Sequence, residues 1–122
     1  FSVYNNTSGN TVFLINGDGS AFAKGMHIQL PPFPDYVFAK DYDLLSLTEL
    51  EHFIKKHQRL PNMPSAEEVA ENGVDIGTLE VQQTEKIEEL TLYIIELSKR
   101  MEALEKENKR LARKQNRNRR SK

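Results

Sequence analysis

The sequence contains no cysteine and no tryptophan. The absence of cysteine excludes disulfides, thiolate nucleophiles and cysteine-containing zinc sites. Long hydrophobic runs are missing as well, because no apolar stretch approaches the roughly 18 residues of a membrane-spanning helix. Hydrophobic residues make up 38% of the 122 residues, below the roughly 45–50% of compact domains, and counting glycine in place of tyrosine changes this share little. A large monomeric core is not expected. Because the chain begins at Phe1, we expect it to be processed or to be the C-terminal piece of a longer protein.

Charge is distributed unevenly along the chain. Residues 1–98 contain 6 Lys and Arg against 15 Asp and Glu, a balance of −9, whereas residues 99–122 contain 11 against 3, a balance of +8. The formal net charge of −1 therefore hides an acidic body that is joined to a basic end. The two parts are expected to attract partners of opposite charge.

Residues 1–30 have the pattern of strands and turns. Val12–Ile15 is an apolar run of strand-favouring residues, and Asn16–Gly19 follows with residue types that accept positive φ in tight turns. A second extended run is predicted over Ser20–Leu30. The pattern predicts a β-hairpin. Because an isolated hairpin is marginally stable in water, these strands need a larger sheet or partner chains.

Residues 31–74 are predicted to form a proline-rich linker and a small helical knob. Three prolines within residues 31–34 end any strand and hold the chain extended. Ser46–Glu49 and Ser65–Glu68 both have the spacing of a capping box, in which serine and glutamate satisfy amide donors at a helix start. The second helix is expected to end at Gly73 in the left-handed conformation. Helices this short are unstable alone and must dock on another element.

A long helix is predicted to begin near Ile76, with Asp75 or Thr78 as its cap. From Ile87 onward, apolar residues recur with the 3-4 spacing of a coiled coil over four heptads. The a positions are held by Ile87, Ile94, Met101 and Asn108, and the d positions by Leu90, Leu97, Leu104 and Leu111. We predict that these eight residues form an oligomerisation surface on a coiled-coil helix over residues 75–112, because the rest of the chain is too small to cover them.

The heptads leave the number of chains open between two and three. Isoleucine at a with leucine at d, together with Asn108 at an a position, favours a parallel dimer. Tyr93 at a g position and Ile95 at a b position widen the apolar face, which suits a third chain or the docking of the short helices. Among the e and g positions, only Arg100 and Glu105 make an attractive pair between neighbouring chains. Taken alone, the pattern favours neither number.

Five motifs occur in order along the chain. They are Pro34–Phe38, Asp41–Leu44, Leu47–Glu51, Leu60–Ser65 and Glu85–Tyr93. Together they resemble a C-terminal module of tail-fibre-like proteins from Bacteroidota bacteria and their phages, which is likened to the endosialidase-type intramolecular chaperone. The resemblance implies a trimeric fibre end, in which residues 1–30 are the end of a β-rich shaft that leads to the knob and the coiled coil. It also implies a place on a virion, on a cell surface or elsewhere outside the cell.

The chain departs from this family in its lack of a self-cleavage motif. Self-cleaving chaperone domains carry a Ser-Asp-x-x-Leu-Lys motif near the shaft junction, and residues 25–45 do not contain it. Ser46 with Lys55 or Lys56 is the remaining serine and lysine combination, but Ser46 is needed as a helix cap and the lysines lie more than two turns away. Autoproteolysis is not supported, and no enzymatic activity is predicted.

No cofactor or metal site is predicted. His52 and His57 are five residues apart, whereas two ligands on one helix face need the i and i+4 spacing. The acidic residues between Asp35 and Glu51 lack the spacing of a calcium-binding loop. Asn16–Gly19 lacks the lysine and helix start of a phosphate-binding loop and is interpreted as a turn.

The last ten residues are strongly basic and contain no acidic residue. The basic residues of this tail, 113–122, are Arg113, Lys114, Arg117, Arg119, Arg120 and Lys122. They predict a polyanion-binding surface, and a nucleic-acid-binding coiled-coil protein is the alternative function. Against nucleic acid, the basic segment follows the zipper instead of preceding it and has no aromatic residue for base stacking. An acidic glycan, a membrane or a partner surface is therefore favoured.

The sequence thus predicts an α+β fold that is elongated, with a short β-strand shaft end, a small helical knob and a long C-terminal parallel coiled coil. The predicted partner is another copy of the chain, with a homotrimer favoured over a dimer by the resemblance. The predicted function is structural, namely trimerisation and registration at the C-terminal end of a fibre whose shaft lies upstream.

Overall fold

The computed structural model describes residues 2–4 and 11–120. The elements are the strands β1 (Ser2–Tyr4), β2 (Thr11–Ile15) and β3 (Ala21–Ala23), a 3-10 helix (Asp35–Phe38), and the helices α1 (Leu47–His57), α2 (Ala66–Asn72) and α3 (Ile76–Arg120). The fold class is α+β, with a small antiparallel sheet near one end of the chain and one long helix near the other. Residues 1, 5–10, 121 and 122, which belong to the predicted shaft end and basic tail, lie outside the described residues.

The predicted hairpin is present, and a third strand is added to it. The order is β1-β2-β3 with both pairs antiparallel, and Leu14 lies opposite Phe22 in the hairpin register. In the turn, the amide of Gly19 donates to the carbonyl of Asn16 at 3.1 Å. The second extended run is shorter than predicted, because β3 ends at Ala23 and no regular strand continues towards residue 30.

Both short helices begin with the predicted capping boxes. At α1, the Ser46 hydroxyl accepts from the Glu49 amide at 3.2 Å while the Glu49 carboxylate accepts from the Ser46 amide at 2.9 Å. Ser65 and Glu68 make the corresponding pair of bonds at α2. Gly73 ends α2 with a φ of 68°, as predicted, but its ψ of −163° lies outside the left-handed helical region.

The helix α3 is the dominant element of the chain. It begins at Ile76, and the carboxylate of Asp75 accepts a hydrogen bond from the Thr78 amide at 2.7 Å, so Asp75 is the cap. Its 45 residues extend for about 67 Å. The helix continues to Arg120, through residues that the sequence places in a separate tail. Within the part of the chain that the structure describes, no helix has an apolar stretch long enough to cross a membrane.

The core is small, as the composition predicts. In the described residues, the buried hydrophobic side chains are Val37, which is 1% exposed, and Tyr93, which is 6% exposed. Pro34 is fully buried beside Val37, and its carbonyl accepts from the Val37 amide at 2.9 Å. The chain exposes 10622 Å², whereas a compact monomer of this mass exposes about 6,700 Å². Much of its apolar surface is therefore available for contact with other molecules.

Candidate assembly surface

The eight predicted oligomerisation residues lie along one face of α3, which we call the seam. They are Ile87, Leu90, Ile94, Leu97, Met101, Leu104, Asn108 and Leu111. The seven apolar members are all exposed, from 43% for Leu97 to 64% for Ile94, and Asn108 is exposed as well. No described part of the chain covers the seam. Such a continuous exposed apolar row on one helix is typical of an interaction surface.

A different face of α3 is covered by the chain itself. Glu85, Lys86, Glu88 and Tyr93 are buried on this helix, and they occupy the f, g and b positions of the heptads instead of the a and d positions. The 3-10 helix packs against this face. The chain therefore buries a charged face of α3 and leaves the apolar one open, which reverses the usual arrangement of an amphipathic helix in a globular domain.

A group of hydrogen-bonded side chains joins α3 to the segments that precede it. We call it the polar cluster, and its members are Tyr36, Tyr42, Asn62, Glu85, Lys86 and Glu89. The Tyr36 hydroxyl donates to the Glu85 carboxylate. The other oxygen of that carboxylate accepts from the Asn62 amide at 3.2 Å and pairs with the Lys86 ammonium at 3.0 Å. Glu85 is thus bound from three directions.

The second carboxylate of the polar cluster is that of Glu89. Its Oε1 accepts from the Tyr42 hydroxyl at 2.6 Å, and its Oε2 pairs with the Lys86 ammonium at 2.8 Å. Lys86 therefore lies between two carboxylates, with its side chain 9% exposed. The rings of Tyr36 and Tyr42 lie 6.0 Å apart between centroids. Because buried charges persist only when they are paired, the arrangement holds the knob at a fixed place on α3.

The pKa values of the polar cluster follow from these bonds. The hydrogen bond to Glu85 raises the pKa of Tyr36 to about 12. Burial and the hydrogen bond to Glu89 raise the pKa of Tyr42 as well. Burial alone would raise the pKa of Glu85, but the hydrogen bonds from Tyr36, Lys86 and Asn62 outweigh it and hold this pKa below its usual value. The tyrosines therefore stay protonated donors and Glu85 stays an ionised acceptor near neutral pH.

Glu88 has the opposite surroundings. It is 9% exposed, and its Oε2 is buried without a hydrogen-bond partner. Burial raises the pKa of Glu88, and the nearby charges of Asp35 and Glu85 raise it further. An unpaired carboxyl group of this kind lowers the stability of the folded state when it is ionised.

Tyr93 and Ile95, which were expected to widen the seam, differ in burial. The Tyr93 hydroxyl donates to the backbone carbonyl of Leu45 at 2.6 Å, so this side chain is used within the chain, by the segment that precedes α1. Ile95 is 46% exposed.

Of the predicted pair between neighbouring chains, Arg100 makes an ion pair with Glu96 of its own helix. Both partners of that ion pair are largely exposed, and such surface pairs are weak.

The described basic residues of the tail lie on α3. Arg113, Lys114, Arg117, Arg119 and Arg120 are all exposed, whereas Lys122 lies outside the described residues. They lie more than twenty residues along the helix from Glu89, so the structure places them apart from the polar cluster.

The remaining candidate sites have local structural roles. The Ser46 hydroxyl donates to Glu49 at 2.6 Å as part of its cap, and Lys55 pairs with Glu51 on the same helix. The His57 ring lies 4.4 Å from the Phe53 ring between centroids. Among residues 12–120, no three His, Cys, Asp or Glu side chains are grouped so that they could hold a metal ion.

Sequence reasoning missed the polar cluster as a unit. Glu85 and Glu89 lie away from the a and d positions, where charged residues normally face solvent. Tyr36 and Tyr42 precede them by 49 and 47 residues, respectively. No local pattern joins these segments, although all four residues fall within the motifs that carry the family resemblance.

Comparisons with known proteins identify no family for this chain. A scan of family models, a search of curated proteins and a search of solved structures each gave no match to this chain. The resemblance to tail-fibre-like modules therefore stays a prediction.

Proposed function

We propose that this chain is a non-enzymatic structural module that joins three copies of itself through α3 at the C-terminal end of a fibre. The observation that carries the proposal is the division of α3 into two faces. One face is held by the polar cluster of the same chain, and the seam is apolar and open over residues 87–111. A four-heptad a and d row packs against the same row on other helices, so a second and a third copy of α3 are proposed to cover the seam.

The energy available from the seam is sufficient for association. Each of the seven apolar side chains is about half exposed, so burying the exposed remainder contributes roughly 1 kcal/mol per side chain and per chain. The gain from three chains exceeds the several kcal/mol that association costs. The exposed apolar residues outside α3, such as Phe22 and Phe33 at 59% and 51% exposure, offer further contact area between copies.

Three chains are proposed in preference to two because of the tail-fibre resemblance, since the heptads alone suit either number. In this role, the coiled coil aligns the chain ends. A locally folding helix can assemble before slower pairing between distant strands takes place in an upstream shaft. The polar cluster then fixes the knob relative to the aligned helices. This role places the module outside the cell, on a virion or on a cell surface.

Adjacent isoleucines offer a matched test of the assembly. Ile94 lies in the seam at an a position and Ile95 at a b position, and both are substantially exposed in the single chain. We expect light scattering at micromolar concentration to give a trimer for the unmodified chain. Ile94→Glu should dissociate it, because it places a like charge from every chain in one apolar layer of the seam, whereas Ile95→Glu should leave it intact.

Each other outcome has a defined meaning. A monomeric unmodified chain would overturn the proposal. A dimer that Ile94→Glu dissociates would retain the coiled coil and remove the fibre role. Equal loss of assembly in Ile94→Glu and Ile95→Glu would show that contacts outside the seam hold the copies together.

A further inference from the structure

The C-terminal part of α3 carries its positive charge mainly on one face. At about 100° per residue, six of the basic residues between positions 106 and 120 fall within an arc of roughly 100°. We call this set the basic stripe, and its members are Lys106, Lys109, Arg110, Arg113, Arg117 and Arg120. All six are exposed.

The basic stripe differs from the basic tail seen in the sequence. It begins at Lys106, within the heptads, and it excludes Lys114 and Arg119, which point away from its centre by roughly 90° and 130°. The helix makes this distinction, because it continues through these positions to Arg120. The stripe spans about 21 Å along the axis of α3.

The basic stripe also lies on the opposite side of α3 from the seam. Leu104 and Leu111 are at least about 150° from the centre of the stripe. Its positive charge is therefore accessible whether or not α3 joins a coiled coil, and the inference does not depend on the proposed trimer. Between residues 106 and 120 the one acidic residue is Glu107, which pairs with Arg110 at 2.7 Å.

We propose that the basic stripe binds a linear acidic polysaccharide along the axis of α3. Four of its six members are arginines, whose planar guanidinium groups match carboxylate and sulfate oxygens in bidentate pairs. Apart from the adjacent Lys109 and Arg110, successive members are three or four residues apart, which places charge about every 5 Å, so an extended chain of repeating acidic groups meets successive side chains.

Nucleic acid fits the basic stripe less well than an acidic polysaccharide does. Residues 106–120 contain no aromatic side chain, and single-stranded nucleic acid is normally held by base stacking as well as by charge. In leucine-zipper DNA readers, basic helices diverge from the zipper to enter the major groove. Here the stripe lies on the opposite side of α3 from Leu104 and Leu111 of the seam, so the stripes of associated helices face outward in different directions.

A pair of charge-matched variants tests the proposal. Lys109→Gln with Arg113→Gln removes one lysine and one arginine from the stripe, and Lys114→Gln with Arg119→Gln removes the same charges from outside it. Binding of fluorescent heparin and alginate to the full chain is measured in about 0.1 M salt. We expect the stripe variant to bind about tenfold more weakly and the off-stripe variant less than about threefold more weakly. Neutral dextran should not bind.

The remaining results would overturn the proposal. Equal weakening in the two variants would mean that net charge, and not the stripe, attracts the polymer. Tighter binding of single-stranded or duplex DNA than of both polysaccharides would assign the stripe to nucleic acid. Salt-sensitive association of the chain without added polymer, abolished only in the stripe variant, would assign the stripe to the acidic body of another copy.

Discussion

The Tyr42 hydroxyl donates a hydrogen bond of 2.6 Å to Oε1 of Glu89, across 47 residues of sequence. This bond joins the segment before α1 to the face of α3 that lies away from the seam. Glu89 also pairs with Lys86, so the carboxylate is bound on both oxygens. The position of the knob on the helix therefore depends on a few polar contacts instead of a large apolar core.

Removal of the Tyr42 hydroxyl should weaken this attachment. We expect Tyr42→Phe to lower the free energy of unfolding by about 1–3 kcal/mol, because the partly buried Glu89 carboxylate loses a donor. Urea unfolding at one fixed chain concentration measures the effect. The control is the same change in a Glu89→Gln background, where the loss should be smaller. An equal loss in both backgrounds would contradict a direct coupling of the two residues.

Glu85 and Glu88 are nearby acidic residues of α3. Replacing them by glutamine should change the free energy of unfolding in opposite directions. At neutral pH, Glu85→Gln should lower the free energy of unfolding by about 2 kcal/mol, because an amide replaces a carboxylate that accepts from three side chains. Glu88→Gln should raise it by about 1 kcal/mol, because a neutral group replaces an unpaired buried carboxylate. Unfolding by urea at one chain concentration compares the two. Changes of the same sign in the free energy of unfolding would show that the surroundings of Glu85 and Glu88 differ from those described.

The same two groups should affect the pH dependence of stability in opposite directions. The pKa of Glu85 is lowered from 4.5, so its stabilising contribution is present above the ordinary value and is lost as the pH falls through the lowered one. The pKa of Glu88 is raised from 4.5, so the contribution of its protonated form is lost as the pH rises through the raised value. Between neutral pH and about pH 3, Glu85→Gln should lose less stability than the unmodified chain, and Glu88→Gln should lose more.

Two glycines near the start of α3 should respond differently to alanine. A Cβ at Gly77 would lie 3.5–3.6 Å from Asp75, Leu30 and Ile28, which is ordinary contact, so Gly77→Ala should stabilise the chain by about 0.5–1 kcal/mol. Gly73 has a φ of 68° and a ψ of −163°, a conformation that alanine adopts only with strain, and Gly73→Ala should destabilise by about 1–3 kcal/mol. Thermal unfolding measures both, and stabilisation by both substitutions would contradict the backbone conformation of Gly73.

Asn108 offers a test of the seam that does not disrupt it. If α3 associates through the a and d positions, Asn108→Ile should make the oligomer dissociate at a lower chain concentration and should broaden the number of chains per oligomer, because a polar a residue restricts that number at a cost in stability. Asn116→Ile, at a b position, is the matched control and should change neither. Sedimentation during dilution measures both quantities, and an unchanged oligomer in Asn108→Ile would place Asn108 outside the interface.

Local signals explain why several elements were predictable. Ser46 with Glu49 and Ser65 with Glu68 form both capping boxes, since each motif needs only atoms within one helical turn. The turn at Asn16–Gly19, which joins two antiparallel strands, was predictable for the same reason. The start of α3 also follows from a single local bond between Asp75 and Thr78. By contrast, β3 is shorter than predicted, because strand length depends on pairing, and the pairing with β2 ends soon after Ala23, where the Lys24 amide donates to the Val12 carbonyl at 3.4 Å.

The sequence by itself determined the helix caps, the hairpin, the long helix and the apolar a and d row, because each depends on residues within a few turns or on a repeating period. The tertiary structure alone decided which face of α3 the chain covers. Tyr36 and Tyr42 approach Glu85 and Glu89 across nearly fifty residues, and burial there sets the opposite pKa shifts of Glu85 and Glu88. Charged residues away from a and d are normally solvated, so only long-range packing could remove these from water.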